Sequence, residues 1–268
     1  MLSHDASPPS LSNRLLTLRK ARIEARERFL AGRKAESQYG LQLRQVAKQV
    51  DVIVRGMAPD GVISDVAELI GVLNRYADLL KPWSESVAGR MIADVSRRDA
   101  SAWERHSKAI GQSLKREIAE APTGAAFRAA LEEQSRRITL LPRQAAERLY
   151  KLTAEALPSG KRASEIAAEV LASGNVTRSE AMMLARTGVS STATQFTKVR
   201  ALYIGSEGYT WRTSKDGAVR PSHRAMEGKF VPWDHPPTLD HYTAHCGEFA
   251  NCRCFPEVAI PDRFGAKR

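Results

Sequence analysis

At 268 residues the chain has room for more than one domain. Its 43% hydrophobic content suffices for a buried core, and its 26% charged content is ordinary for a water-facing protein. No apolar run reaches membrane-spanning length. The N-terminal stretch, with Asp5 and two prolines ahead of arginines, lacks the apolar core of a signal peptide, so synthesis in a cytoplasm with no membrane partner is expected. The net charge is +11, of which residues 1–205 carry +10 and residues 206–268 only +1. That excess either favours an anionic partner such as nucleic acid or forms the solvated faces of helices.

Residues 11–57 read as one or two long helices. Leu11, Leu15, Leu18, Ala25 and Phe29 recur at spacings of three and four, and Tyr39, Leu43, Val46, Val50, Ile53 and Met57 continue the seam. Gly32 and Gly40 are expected to be weak points, and Ala58-Pro59-Asp60-Gly61 to be the stop. A second helix places Val66, Leu69, Ile70, Leu73, Tyr76, Ala77 and Leu80 on one face and ends at Lys81-Pro82. Ser84 is expected to cap a third, running towards Ala121-Pro122 and carrying Val87, Met91, Val95, Trp103, Ile110, Leu114 and Ile118. Thr123 should cap a fourth with Phe127, Leu131 and Ile138, which Leu141-Pro142 divides from a piece with Leu149 and Leu152. Pro158-Ser159-Gly160 reads as a loop. Ile166 and Val170 belong to a short helix closed by Gly174-Asn175. Thr177 and Glu180 have capping-box spacing, which starts a helix running to Gly205.

The character then changes. Gly208–Arg212 reads as a strand, Asp216-Gly217 as a turn with Ala218–Arg220 pairing back, and Lys229–Trp233 as a second short strand. In that turn Arg220 is placed to pair with Asp216, and Trp211 reads as core. Cys246, Cys252 and Cys254 are the only cysteines, and all lie within nine residues, unlike a disulfide framework spread along a chain. With His223 they offer four donors of the kinds zinc accepts, and His241 and His245 are spares. One structural zinc would explain how so loop-rich a stretch stays folded. The alternative is three buried, reduced packing thiols. Asp216, His223, Glu227, His241 and His245 also suit acid–base chemistry. However, there is no nucleophile elbow, phosphate-cradling glycine loop or His-Glu-x-x-His helix, so no catalytic residue is assigned.

Several of these residues stand in a recognisable order. Ala185-Arg186-Thr187 is followed by Trp211, Thr213-Ser214, Asp216, Arg220, His223, Gly228 and a closing Cys252-Arg253-Cys254. Over roughly residues 140–258 this order resembles the phage head-morphogenesis domain, the Mu F-like minor head protein family. Arg220 stands where cysteine-rich members carry a ligand. Arg186 is either a solvated basic residue or an anchor for the C-terminal loops. The resemblance implies a minor capsid protein that is not an enzyme. It would be made in the bacterial host cytoplasm and carried in the virion's capsid interior near the portal. Its partners would be a portal, scaffold or major capsid protein, with double-stranded DNA contacted non-specifically. A nuclease or toxin-like enzyme built on the C-terminal part is the alternative. The expected fold is mainly α with a small C-terminal α+β domain and long N-terminal helices. Its parts would be a docking or oligomerising helical region over 1–140, the helical part of the head-morphogenesis domain over 141–205, and the α+β part over 206–268.

Overall fold

The computed structural model describes the backbone of residues 11–110, 120–155 and 163–261, and side chains over 32–105, 120–155 and 164–261. Among the described residues five helices, α1 (Leu11–Met57), α2 (Val66–Leu79), α3 (Lys81–Ile110), α4 (Gly124–Ala154) and α5 (Ala163–Tyr203), precede a small strand-containing C-terminal segment. The mainly α architecture with a small α+β end is the one expected. The side chains of the first seam, Leu11 to Phe29, those of Ile110, Leu114 and Ile118, and the Pro158-Ser159-Gly160 loop lie outside the described residues.

α1 runs unbroken through Gly32 and Gly40. Gly40 serves close approach rather than breakage: a Cβ there would sit 3.1 Å from Met182 Cε on α5. The two helices are antiparallel neighbours, since Gly40 meets Ala185 while Asp51 meets Gly174. The seam from Tyr39 to Val50 is covered within the chain. Tyr39, Leu43 and Val46 join a core with Ile92, Ile138 and Phe196, and Val50 joins one with Leu69, Leu73 and Leu149.

The boundaries expected at Leu141-Pro142 and Gly174-Asn175 do not occur, for one physical reason: a local stop signal costs a helix less than its buried faces return. The one expected at Lys81-Pro82 does occur: α2 ends at Leu79, and Pro82 sits in the first turn of α3, where its missing N–H would have had no intrahelical partner. Ser84 is not a cap. It is buried inside α3, donates to the Lys81 carbonyl at 2.7 Å and meets the Ser135 hydroxyl of α4 at 2.6 Å. Thr123 precedes α4 without a side-chain cap bond, and α4 passes through Pro142 with Ile138, Leu141, Ala145 and Ala146 buried on both sides. α5 likewise passes through Gly174-Asn175. Thr177 and Glu180 form no capping box: Thr177 donates to the Ser173 carbonyl at 2.9 Å in mid-helix. Both residues instead hold Arg148 of α4, at 2.7 Å from each.

The end of α5 follows the sequence. Gly205 takes φ +77°, its N–H donates to the Leu202 carbonyl, and the Ser206 N–H donates to the Ala201 carbonyl. The chain then enters β1 (Gly208–Arg212), centre of an antiparallel sheet ordered β2-β1-β5, with β2 at Phe230–Pro232 and β5 at Phe255–Val258. Between β1 and β2 lies the one-turn helix α6 (Pro221–Arg224), and a second sheet is the hairpin of β3 (Thr238–Leu239) and β4 (Tyr242–Thr243). Ala218–Arg220 does not pair back on β1. The Asp216 carboxylate accepts the Ala218 N–H at 3.1 Å, and the left-handed residue of the turn is Lys215, at φ 57°. The C-terminal core packs Tyr209, Trp211, Val231, Trp233 and Phe249 against Trp103 of α3 and Ala201 of α5.

Candidate metal centre

Among the bonds that tie the C-terminal loops to α5, three flank the Cys246–Cys254 stretch. The Thr194 hydroxyl donates to the Cys246 carbonyl at 2.8 Å, the Asn251 N–H donates to the Thr187 hydroxyl at 3.0 Å, and Arg186 donates to the Asn251 side-chain oxygen at 3.1 Å. Arg186 also reaches Glu36 of α1 at 3.1 Å, so it is an anchor and not a solvated residue. Gly247 makes the closest approach. It sits at φ +84°, and a Cβ there would lie 2.7 Å from Thr194 Oγ1.

On this platform His223, Cys252 and Cys254 converge, all buried, with their donor atoms within 4.8 Å of one another. His223 Nδ1 lies 3.5 Å from Cys252 Sγ and 3.6 Å from Cys254 Sγ. A tetrahedral zinc at ~2.3 Å from thiolate and ~2.0 Å from imidazole requires a nitrogen–sulfur separation of about 3.5 Å. Both nitrogen–sulfur separations therefore match that ion. The imidazole is held edge-on by Trp211 and Phe249, with ring centres 5.5 and 4.8 Å away. Its other nitrogen, Nε2, is buried without a hydrogen bond and faces Asp240 Oδ2 at 3.7 Å. A carboxylate behind a ligating histidine is the usual outer partner of such a ligand.

The sulfurs differ. The Cys254 N–H donates to Cys252 Sγ at 3.4 Å. Hydrogen bonds from the Cys254 thiol, then from His223 and the Cys254 and Gly247 amides, pull Cys252 well below the ordinary thiol range. The Cys252 sulfur and burial push Cys254 upward. Cys246, the fourth expected ligand, does not join the group. It is wholly buried, and desolvation followed by the Cys252 charge holds its thiol well above the usual range.

Other expected residues take structural places. Arg220 does not pair with Asp216. Its Nε lies 3.5 Å from Asp240, and it donates to the Ala250 carbonyl at 3.1 Å, while Asp216 pairs with Arg253 at 3.2 Å. Trp211 is fully buried core, as expected. Gly228, at φ +82°, returns the chain and donates to the Trp211 carbonyl at 2.9 Å. Glu227 accepts from the Thr213 N–H and hydroxyl at 2.7 and 2.8 Å. Those bonds and nearby Lys215 and Arg212 outweigh its burial and hold its carboxyl low, which suits an anchor better than a general acid. His245 belongs to a separate buried network. Its Nε2 lies 3.0 Å from Lys198 Nζ and its Nδ1 3.2 Å from the Tyr209 hydroxyl. Burial and then the Lys198 charge hold His245 down to about 4, so it stays neutral, accepts from Lys198 and donates to Tyr209. His241 is exposed.

Sequence reasoning missed Asp240, Lys198, Thr194 and the buried Asp99–Arg200 pair, in which Thr197 also donates to Asp99 at 2.7 Å. Asp240 stands at the tip of the β3–β4 hairpin. Asp240 and His241 both have positive φ, 51° and 65°, as the two central residues of a type I′ hairpin turn, although neither is the glycine that usually marks one.

Residues 147–256 match the model of the family described as Phage Mu protein F like protein. This segment is similar to phage Mu protein F. It begins in the last turns of α4 and ends in β5, so the matched segment holds every member of the candidate metal centre and its Arg186, Thr187 and Thr194 supports. A curated protein of Haemophilus influenzae, described as an uncharacterized protein, is 30% identical over 115 residues, which are 43% of this chain and 24% of that protein. The match therefore spans about a quarter of that relative's length. No solved structure matches the chain. Among the described residues no helix is long and apolar enough to cross a membrane.

Proposed function

We propose that the protein acts in phage head morphogenesis as a minor head protein, carried in or on the procapsid near the portal and retained in the virion. The observation that carries this reading is the phage Mu F-like match itself, because the residues it spans close into one ordered site. The protein has a structural role and catalyses no reaction. α1 to α5 form the scaffold, and the C-terminal segment is a compact module docked on α3 and α5. His223, Cys252 and Cys254 would hold one zinc. When bound, zinc supplies cross-linking energy that adds to the apolar core of this loop-rich segment. His223 is oriented for it by Trp211, Phe249 and Asp240, and Gly247 lets the Cys246–Cys254 loop lie flat on α5.

Inside a filled head the nearest anion is packaged duplex DNA, and the basic excess of residues 1–205 favours non-specific contact with its phosphates. Intrachain ion pairs such as Arg136 and Arg137 with Glu133, or Arg148 with Glu180, neutralise part of that excess. The contact is accordingly an accessory to protein–protein docking on the portal, scaffold or major capsid protein.

Mass spectrometry of purified virions beside purified procapsids tests the reading. The protein is expected in both, at a small fraction of the major capsid protein's abundance. Its absence from both would overturn the assignment. For the DNA contact, the full chain should bind duplexes of unrelated sequence alike at low salt and lose that binding steeply as salt rises. Binding indifferent to salt would remove DNA from its partners.

A further inference from the structure

The metal centre has three donors from the chain, and a tetrahedral ion needs a fourth. Among the described residues no other histidine, cysteine or carboxylate joins His223, Cys252 and Cys254. The candidates are otherwise engaged. Cys246 stands outside the group, with its backbone N–H donating to Tyr209 and its carbonyl accepting from Thr194. His245 is held between Lys198 and Tyr209. Asp240 faces the far nitrogen of His223 and also pairs with Arg220, which places it behind the ligand rather than on the ion. Beside the three donors lies a small hollow of about 30 Å³, room for about one water-sized ligand. His223, Cys252 and Cys254 line it together with Ser214, Asp216, Arg220, Asn251 and Arg253.

We infer that the metal keeps one open coordination position facing this hollow, and that the position takes an exchangeable small anion, with water in its absence. The inference rests on the zinc reading given above. Two thiolates already neutralise a divalent ion, so a second anionic ligand needs positive or hydrogen-bond-donating surroundings. The hollow supplies them in the two guanidiniums of Arg220 and Arg253, set against the one carboxylate of Asp216. Arg220 and Arg253 are each steadied by one carboxylate, Asp240 and Asp216. Its size selects against bulky ligands. Closed four-ligand sites are purely structural, whereas three protein ligands plus an exchangeable fourth is the arrangement in which a metal can bind or activate a small molecule.

Cobalt substitution in the full-length protein reads the coordination directly, because Co²⁺ shows ligand-field bands and thiolate-to-metal charge transfer. Azide is the probe anion. The inference predicts one cobalt per chain, ligand-field bands that shift saturably with azide, and a spectrum unchanged by Cys246→Ser or Cys246→Ala. Arg253→Met should weaken azide binding roughly tenfold by removing a charged donor from the hollow. A cobalt spectrum indifferent to azide overturns the open position, and a charge-transfer band reduced by Cys246→Ser would identify the ligand that closes it. Failure of the folded protein to bind cobalt or zinc overturns the metal reading itself. The two failures are told apart by metal stoichiometry.

Discussion

Replacing Gly247 by alanine tests how the C-terminal loop is fastened to α5. Gly247 sits at φ +84°, where an L-residue costs about 1–2 kcal/mol more than glycine. The added Cβ would lie 2.7 Å from Thr194 Oγ1 and 3.2 Å from the Ser190 carbonyl. Thr194 cannot turn away cheaply, since its hydroxyl donates to the Cys246 carbonyl at 2.8 Å, and losing that buried bond costs about 1 kcal/mol more. Gly247→Ala should therefore destabilise the C-terminal core by about 2–4 kcal/mol. Trp103, Trp211 and Trp233 are all buried in that core, so urea unfolding followed by tryptophan fluorescence reports it. The clash makes a second, sharper demand. Thr194→Ala alone should cost about 1 kcal/mol, yet the double variant should be more stable than the sum of the singles by about 1–2 kcal/mol, because removing the hydroxyl relieves the overlap. An unchanged midpoint for Gly247→Ala, or strict additivity in the double variant, would refute the packing described for this loop.

Two further perturbations address the buried polar groups. Asp99 and Arg200 are each about 5% exposed and pair across α3 and α5. Asp99→Leu should cost about 3–5 kcal/mol in urea unfolding by stranding the guanidinium, and Asp99→Leu with Arg200→Met should recover more than half of that. A loss below about 1 kcal/mol would mean that water reaches the pair. His245 is held from 6.5 down to about 4, so in that window the unfolded chain takes up a proton that the folded chain refuses. Its contribution to stability is complete above pH 6.5 and is lost as pH falls towards 4. His245→Gln keeps an acceptor for Lys198 and a donor for Tyr209 but does not titrate, and should flatten that part of the stability profile. Parallel profiles for variant and parent would contradict the burial of a neutral imidazole.

The helical fold was legible wherever the signal was periodic. Tyr39, Leu43, Val46 and Val50 recur on one face, and that face is buried. What failed was punctuation. Pro142, Gly174 and the Thr177–Glu180 spacing are stop and start signals only for an isolated helix. In the fold Gly174 gives Asp51 of α1 room to approach, and Thr177 and Glu180 serve Arg148 across the helix interface. Neither partner is visible in a local window. The same holds for β1, whose neighbours lie beyond α6 and at the end of the described chain, so Asp216-Gly217 turned the chain without making a hairpin. At the site, residue type identified His223, Cys252 and Cys254, but type alone could not separate Cys246 from them. That distinction needed the position of Cys246 between Tyr209 and Thr194. Asp240 and Lys198 carried no signal, because single charged residues in polar stretches look alike until the fold sets one behind an imidazole and the other against one.

We propose that the segment similar to phage Mu protein F is organised around a metal held by His223, Cys252 and Cys254. Elemental analysis of the full-length protein, purified without chelator and checked for native tryptophan fluorescence, tests it most directly. The account predicts close to one zinc per chain, lost from Cys252→Ser together with the C-terminal unfolding transition, because a structural site contributes folding free energy directly. Native, stably folded protein with no bound metal would contradict it.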